Sequence, residues 1–528
     1  CIDVNTTSGV VRGQTLVAQN KSIDQFLNIP YAEPPVGGLR FAKPLPLQTP
    51  IKDIIDGTKP GNSCIQPDSG SDLTTSEDCL VLNVWTPNLG NNDESPEAPA
   101  LKPVMFWIHG GGLTIKSIDQ FLNIPYAEPP VGGLRFAKPL PLQTPIKLHI
   151  DELINMPDII DGTKPGNSCI QPDSGSDLTT RAFGFLFGDR EDAPGNVGLF
   201  DQSLALKWVR DNIHAFGGDR DQITIFGESG GSRSVSTHIV SPVSKGLFKR
   251  AIMESGAHLT NKDRDLINTT EALSEAKQIA KHVNCSETED WLQCLRKVDA
   301  KDILKLEKST NFPVVGTQFL PIPTHKAFDE HLLNYDDFQK YVKQTDDIFH
   351  GLDVEKVSEF YLKGVNTSSP LAIYKAFNRF FGDLMTNCPN YLFAKHLAQI
   401  VKNKHNVYFY EWTYQSQYFA KLSGCDEATM GICHGADIPY IFGIPFQIPK
   451  QAHLFTELDE KFAADIMTLW SNFAKTGKPD TLWPQLLDNN VISVRDLNPR
   501  NMSRRVQILT KIYTKHNHLG VKDIQYIM

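Results

Sequence analysis

No stretch of these 528 residues approaches 18 uninterrupted apolar residues, and none is a run of basic ones. The first lack argues against a bilayer-spanning helix. The second, with a net charge of −9, argues against partners bound through their phosphates, so no nucleic acid is expected. The N-terminal CIDVNTTSG has no basic region followed by an apolar one, so a secreted form would already have shed its signal peptide. Histidine and cysteine do not cluster at metal-ligand spacing, and no Pro- or Ser-rich linker divides the chain. No metal or organic cofactor is implied, and a single domain over 1–528 is expected. What is present, 40% hydrophobic and 21% charged residues, suits a large soluble globular protein with a substantial core.

Nine cysteines leave at least one without a partner in the chain. Cys64 and Cys79 bracket a short Gly/Ser/Asp-rich loop, and Cys285 and Cys294 bracket NCSETEDWLQC. Both loops are short enough to close by a disulfide; buried free thiols are the alternative. Cys169 is the expected orphan, because it copies Cys64 but has no second SEDC segment to pair with. Six N-x-[ST] sequons begin at Asn5, Asn20, Asn268, Asn284, Asn366 and Asn501. Together these features predict a secreted or secretory-lumen glycoprotein.

The run VMFWI at 104–108 ends abruptly in HGGG, which reads as a buried strand feeding a glycine loop. Leu206, Val209, Ile213 and Phe216 recur at helical spacing, and Gly217-Gly218 stop that helix. ITIF at 223–226 then leads into GESGG, and NVYFYEW at 406–412 reads as a later strand. Residues 260–400 are helix-rich and irregular. Strands alternating with helices predict an α/β protein with a central, mostly parallel sheet flanked by helices.

In Gly227-Glu228-Ser229-Gly230-Gly231 a serine follows an apolar strand at G-x-S-x-G spacing. A sharp strand-to-helix turn would project its Oγ, with glycines where side chains would strike neighbouring backbone. A serine hydroxyl is a poor nucleophile, and its attack on an ester creates an oxyanion, so a base and fixed N–H donors are needed. His109-Gly110-Gly111-Gly112 can supply donors, since consecutive glycines let N–H groups point inward. The base should be a histidine beyond the elbow. Among fifteen histidines, spacing alone does not select His434 of GICHGADIPYIFG.

These residues resemble the type-B carboxylesterase and cholinesterase family. Its marks stand here as FLNIPYAEPPVGGLRF, SEDCLVLNVW, VMFWIHGGG, FGFL, NVGLFDQSLALKWVRDNIHAFGGDRDQITIFGESGG, SGA at 255–257, CHGADIPYIFG and FAKTGKPDTLWP. The resemblance implies the α/β-hydrolase fold and a serine esterase acting on a small-molecule carboxylic ester. It implies Ser229 as nucleophile, His434 as general base and then acid, and an oxyanion hole from the N–H groups of Gly111, Gly112 and Gly230. It also implies disulfides Cys64–Cys79 and Cys285–Cys294. Cholinesterases carry a tryptophan inside the first disulfide loop, where its face attracts a quaternary ammonium. Here that loop, IQPDSGSDLTTSED, has none, which favours a general carboxylesterase. The competing expectation is an impaired or silent cholinesterase-like protein used for binding or adhesion. Such members typically lack the serine or the histidine, and this chain has both.

Two departures stand against the match. Residues 21–52 recur letter for letter at 116–147, and 53–75 recur at 158–180 after the insert LHIDELINMP. The second copy, 116–180, takes the place of the family's strand ending in Asn-Tyr-Arg and is not expected to join the core. The first copy would fill an edge region before SEDC. The second departure is the family's acid motif, of the type G-V-x-x-x-E-G, which is missing after FLPIPTHKAF. Asp329, Glu330, Asp336 and Asp337 lie nearby but read as surface charges of a helix and its cap, so the triad acid stays unassigned. A triad lacking one member can retain roughly 10³ to 10⁴ in rate over water.

Overall fold

The computed structural model describes residues 2–18, 21–66, 74–87, 101–110, 183–257, 269–285, 290–305, 334–349, 352–401, 404–423, 425, 430–447, 455–488, 491–500 and 502. The second copy, with Gly111, Gly112, Cys169, Asp329 and Glu330, lies outside the described residues.

The N-terminal sheet holds β1 (Ile2–Thr6), β2 (Gly9–Ala18), β3 (Lys21–Pro30), β4 (Ile51–Asp56) and β5 (Val81–Pro87) in the order β1-β2-β3-β5, with β4 beside β2. The first copy therefore supplies an interior strand, not the edge that its sequence suggests. Its residues can satisfy both neighbours. Gln25 and Asp24 bond Gln14 and Thr15 of β2, while buried Phe26 packs edge-on against Phe216 with ring centroids 5.0 Å apart. Beyond β3, the arginine of GGLRF meets the glutamate of SEDC. The Arg40 guanidinium grips Glu77 with two bonds of 2.6 Å and also donates to the Val298 carbonyl. An Arg fork and a carboxylate match in geometry, which makes this pair directional as well as strong.

Next comes β6 (Lys102–Ile108), then α1 (Val197–Asn212), β7 (Gly218–Glu228), α2 (Gly230–Val240) and β8 (Arg250–Glu254). The three strands run parallel in the order β8-β7-β6. Side chains alternate across them with period two. Val104, Phe106, Ile223, Ile225, Ala251 and Met253 face the α1 side, where Leu206, Trp208 and Val209 pack. Met105, Trp107, Phe226 and Ile252 face the opposite side. Both faces are apolar because helices cover both. As predicted, α1 ends at glycine: residues Ile213–Phe216 tighten into a 3-10 turn, and Gly217 turns left-handed at φ 76°.

The described residues between 269 and 400 are mainly helical, as the sequence suggests: α3 (Thr269–His282), α4 (Trp291–Lys297), α5 (Tyr335–Phe349), α6 (Val354–Tyr361), α7 (Pro370–Gly382) and α8 (Cys388–Ile400). A short strand β9 (Tyr410–Trp412) follows, then α9 (Glu457–Thr476), then β10 (Arg495–Leu497), which pairs with β9. A reciprocal cap between Thr456 and Asp459 starts α9, and Gly477 at φ 75° ends it. Its Phe462, Ile466 and Trp470 close the second face of the parallel sheet.

Two strand expectations need correction. The 406–412 run is a strand only from Tyr410; before that it makes single backbone bonds, Leu486 to Val407 and Arg495 to Phe409. The VMFWI run is a strand, but Val104, Met105, Phe106 and Trp107 are half-buried where full burial is predicted. The reason is a missing neighbour: among the described residues β6 pairs only with β7, and the described strands fall into separate sheets between β5 and β6 and between β8 and β9.

This difference in enclosure has a measurable consequence. Ile225, fully buried at the centre of β7, should cost about 3 kcal/mol when cut to alanine, whereas Val104→Ala should cost about 1 kcal/mol. Urea midpoints would show it; equal losses would mean that β6 is as enclosed as β7.

Candidate active site

β7 runs straight into α2, and the only residue between them is Ser229, at φ 55° and ψ −118°. A non-glycine residue with positive φ is strained. Neighbouring strands hold it there. The Ser229 N–H donates to the Glu254 carbonyl at the end of β8 (2.9 Å), and the Ser229 carbonyl accepts from Arg233 in the first turn of α2 (3.0 Å). The glycines around it are close-approach glycines. A Cβ on Gly231 would strike the carbonyls of Ile108 and His109, and one on Gly256 would strike the Ser229 carbonyl. The end of β6 is thereby pressed against the elbow. A Cβ on Gly110 would lie 2.8 Å from Glu228 Oε2 and 3.4 Å from Ser229 Cβ. Of the three expected oxyanion donors, Gly230 is buried at the first position of α2, where N–H groups are free and the helix dipole is positive. Gly111 and Gly112 fall outside the described residues.

His434 lies on a loop that is anchored from both sides. Cys433 is disulfide-bonded to Cys425, its N–H donates to Gln415 Oε1 (3.0 Å), and Gln415 Nε2 donates to the Cys425 carbonyl (3.1 Å). After it, Gly435 takes φ 80°. The ring comes to the elbow: His434 Nε2 lies 3.1 Å from Oε1 of Glu228, the residue before Ser229. Partial burial of the ring and, second, the Arg233 cation lower its pKa from the ordinary 6.5. The imidazole is therefore neutral at pH 7.

Beneath the elbow lies more buried acid. Glu254 and Asp437 are both buried, and Trp470 Nε1 donates to Glu254 Oε1 at 2.7 Å. Burial drives the Glu254 pKa well above 4.5, with the Asp437 charge adding to it, and burial raises Asp437 to about 6. The Tyr410 hydroxyl, also raised first by burial, feels Glu254, Asp437 and Glu228. No group of three His, Cys, Asp or Glu among the described residues could hold a metal ion.

The sequence-predicted residues sort clearly. Ser229, Gly230 and His434 lie on elements that meet at the elbow. Cys64–Cys79 and Cys285–Cys294 are disulfides. Asp336 and Asp337 sit in the first turn of α5, where Asp337 exchanges bonds with Asn334 as a cap. Sequence reasoning missed the Cys425–Cys433 disulfide, although their separation of 8 nearly repeats the 9 of Cys285–Cys294. Cys388 is the free cysteine of the described residues. The closeness of Glu228 to His434 was also missed; nothing in GESGG tells which way that side chain turns.

Against this geometry, comparison with known proteins agrees. The profile of the carboxylesterase family matches residues 2–118, 114–182, 180–352 and 321–510. Mouse cholinesterase is 31% identical over 91% of this chain and 81% of its own length. An acetylcholinesterase of Leptinotarsa decemlineata is 30% identical over 91% and 80%, and acetylcholinesterase-1 of Trittame loki is 29% identical over 91% and 88%.

The raised carboxyl pKa values give a pH signature. A folded-state pKa of about 6 for Asp437, against 3.8 for the free side chain, means that its proton stabilises the fold below 3.8. That stabilisation is lost as pH rises through 6. Asp437→Asn should therefore raise stability by about 3 kcal/mol at pH 8 and by about 0.5 kcal/mol at pH 4. Urea melts at both values test this; a variant no more stable at pH 8 would show the charge to be fully compensated.

Proposed function

The chain belongs to the carboxylesterase family, and from that premise we propose that it hydrolyses carboxylic esters through an acyl-enzyme on Ser229, with His434 as general base. The observation that carries this reading is the left-handed elbow at Ser229, a strain of about 1–3 kcal/mol that ordinary turns avoid. In the first half-reaction Oγ attacks the ester carbon and its proton passes to His434. The tetrahedral oxyanion is held by the Gly230 N–H, with Gly111 and Gly112 as the other expected donors. Collapse expels the alcohol, which takes the proton back from His434. Water then attacks the acyl-serine by the same route, releasing the acid and restoring Ser229.

The favoured substrate is an uncharged carboxylic ester, because the Cys64–Cys79 loop has no tryptophan to face a quaternary ammonium, although the curated relatives above are named cholinesterases. Passage through the secretory pathway is supported by three disulfides and by sequon residues Asn5, Asn284 and Asn366 lying exposed. No described helix is long and apolar enough to cross a membrane. We read 1–528 as one domain and 116–180 as an addition to it; the family profile breaks at 114–118 and 180–182, the limits of that copy.

A fluorophosphonate should label Ser229 in the intact folded protein, and p-nitrophenyl acetate should give a burst of nitrophenol. Both signals should vanish in Ser229→Ala. Because protonated His434 cannot accept a proton and its pKa lies below the ordinary 6.5, turnover should be level above pH 7 and fall on the acid side of neutrality. Folded protein that resists the label would sink the proposal.

A further inference from the structure

We propose that Glu411 and Asp496, side by side at the centre of the β9–β10 ladder, form a proton-controlled clasp that fastens β10 in mild acid and loosens it above neutrality. The proposal stands apart from the esterase reading.

The ladder is short, and its middle rung is a pair of acids. β9 and β10 run parallel for three residues each, with Tyr410 beside Arg495, Glu411 beside Asp496 and Trp412 beside Leu497. Single backbone bonds extend it at either end, from Arg495 to the Phe409 carbonyl (2.9 Å) and from Thr413 to the Leu497 carbonyl (3.3 Å). Side chains alternate across a strand, so the middle rung faces away from the other two. Tyr410, Trp412 and Leu497 belong to the apolar cluster that packs on α9. Glu411 and Asp496 therefore share the opposite face, on strands about 4.8 Å apart, where like charges repel.

The groups that face Glu411 from elsewhere do not relieve this repulsion. Between α7 and α8 a wide turn, Asp383–Asn387, adds the charge of Asp383, and the cation on that side is Arg379 of α7, an exposed residue. Asp383 accepts from Tyr361 (3.0 Å) and Asn387 (2.9 Å), and Asp496 accepts from the Thr413 hydroxyl. Such donors suit ionised carboxylates. Glu411 lacks them: among the described residues its carboxyl makes no hydrogen bond and no close ion pair. A proton is what remains to lower its cost.

Burial first, then the charges of Asp496 and Asp383, push the Glu411 pKa up to about 7 from the ordinary 4.5, with Arg379 opposing them. A carboxyl raised in this way adds stability that is whole below 4.5 and is lost as pH rises through 7. Opening the ladder returns Glu411 to water and to its ordinary value. The opening equilibrium should therefore rise about 30-fold between pH 5.5 and 8.5.

Hydrogen exchange of the full chain, read by mass spectrometry and corrected for the intrinsic pH dependence of the rates, tests this. Peptides covering 406–413 and 491–498 should lose about 30-fold in protection from pH 5.5 to 8.5, relative to a peptide of β7. The β7 peptide reports opening of the whole molecule, including the effect of buried Glu254 and Asp437. In Glu411→Gln the loss should vanish, with protection at pH 8.5 equal to the parent's at pH 5.5. Ladder protection that is flat in the parent, or that falls only in step with β7, overturns the proposal without any variant. Glu411→Gln that keeps the parent's pH dependence does the same. Should that variant not fold, Asp496→Asn decides: removal of the facing charge should shrink the loss, and an unchanged loss sinks the clasp.

Discussion

The left-handed turn at Ser229 is the constraint on which the rest of the structure depends. No local preference favours φ 55° and ψ −118° at a serine. It persists because β7 is hydrogen-bonded on both edges, to β6 and to β8, while α2 leaves at once on the far side. The glycines at 231 and 256 belong to the same constraint. They allow the carbonyls of Ile108, His109 and Ser229 to approach where a methyl group would collide. Packing of three backbones thus over-determines one dihedral pair, and the result is a half-buried serine on a rigid support.

Charge is the second theme, and it follows from burial. Three carboxylates, Glu228, Glu254 and Asp437, lie buried around the elbow, where an ionised acid is costly without partners. Trp470 donates to Glu254, His434 reaches Glu228, and the raised pKa values of Glu254 and Asp437 show that protons supply part of the remainder. Such a site resists holding another anion at rest but suits a cation that appears only during reaction. In the esterase reading proposed above, an imidazolium at His434 is that cation, and the surrounding carboxylates become useful once the proton has moved.

Much of this was legible in the sequence where the signal is local. The elbow, the helix stopped by Gly217-Gly218 and the two short disulfide loops are each written within a dozen or so residues. The family resemblance added His434, which spacing could not select among fifteen histidines. What escaped was tertiary. The FLNIP strand looks like an edge because nothing in its own letters shows that β2 and β5 flank it. VMFWI looks fully enclosed because composition reports what a strand would bury, while its actual enclosure depends on a neighbour elsewhere in the chain. The approach of His434 to Glu228 brings in a loop some two hundred residues downstream, and no pattern in GESGG encodes it.

The division of the described strands among separate sheets raises the question of how Ser229 and His434 keep register. Ser229 belongs to the β6-β7-β8 platform, while the histidine loop follows β9, which pairs with β10 in a different sheet. A continuous sheet would transmit position through backbone hydrogen bonds. Here α9 does it through side chains. Its Trp470 bonds Glu254 at the tip of β8 and packs against Tyr410 of β9, ring centroids 5.3 Å apart. In its first turn, Asp459 accepts from Tyr440 (2.7 Å) and Tyr414 (2.9 Å), and Phe462 packs at a tilt against Trp412 and Tyr440. Tyr440 lies six residues beyond His434, so the helix grips both the platform and the loop. Side-chain packing of this kind is less directional than a backbone ladder. The Cys425–Cys433 disulfide then acts as a local restraint on the histidine loop, whose His434 Nε2 comes within 3.1 Å of Glu228 Oε1.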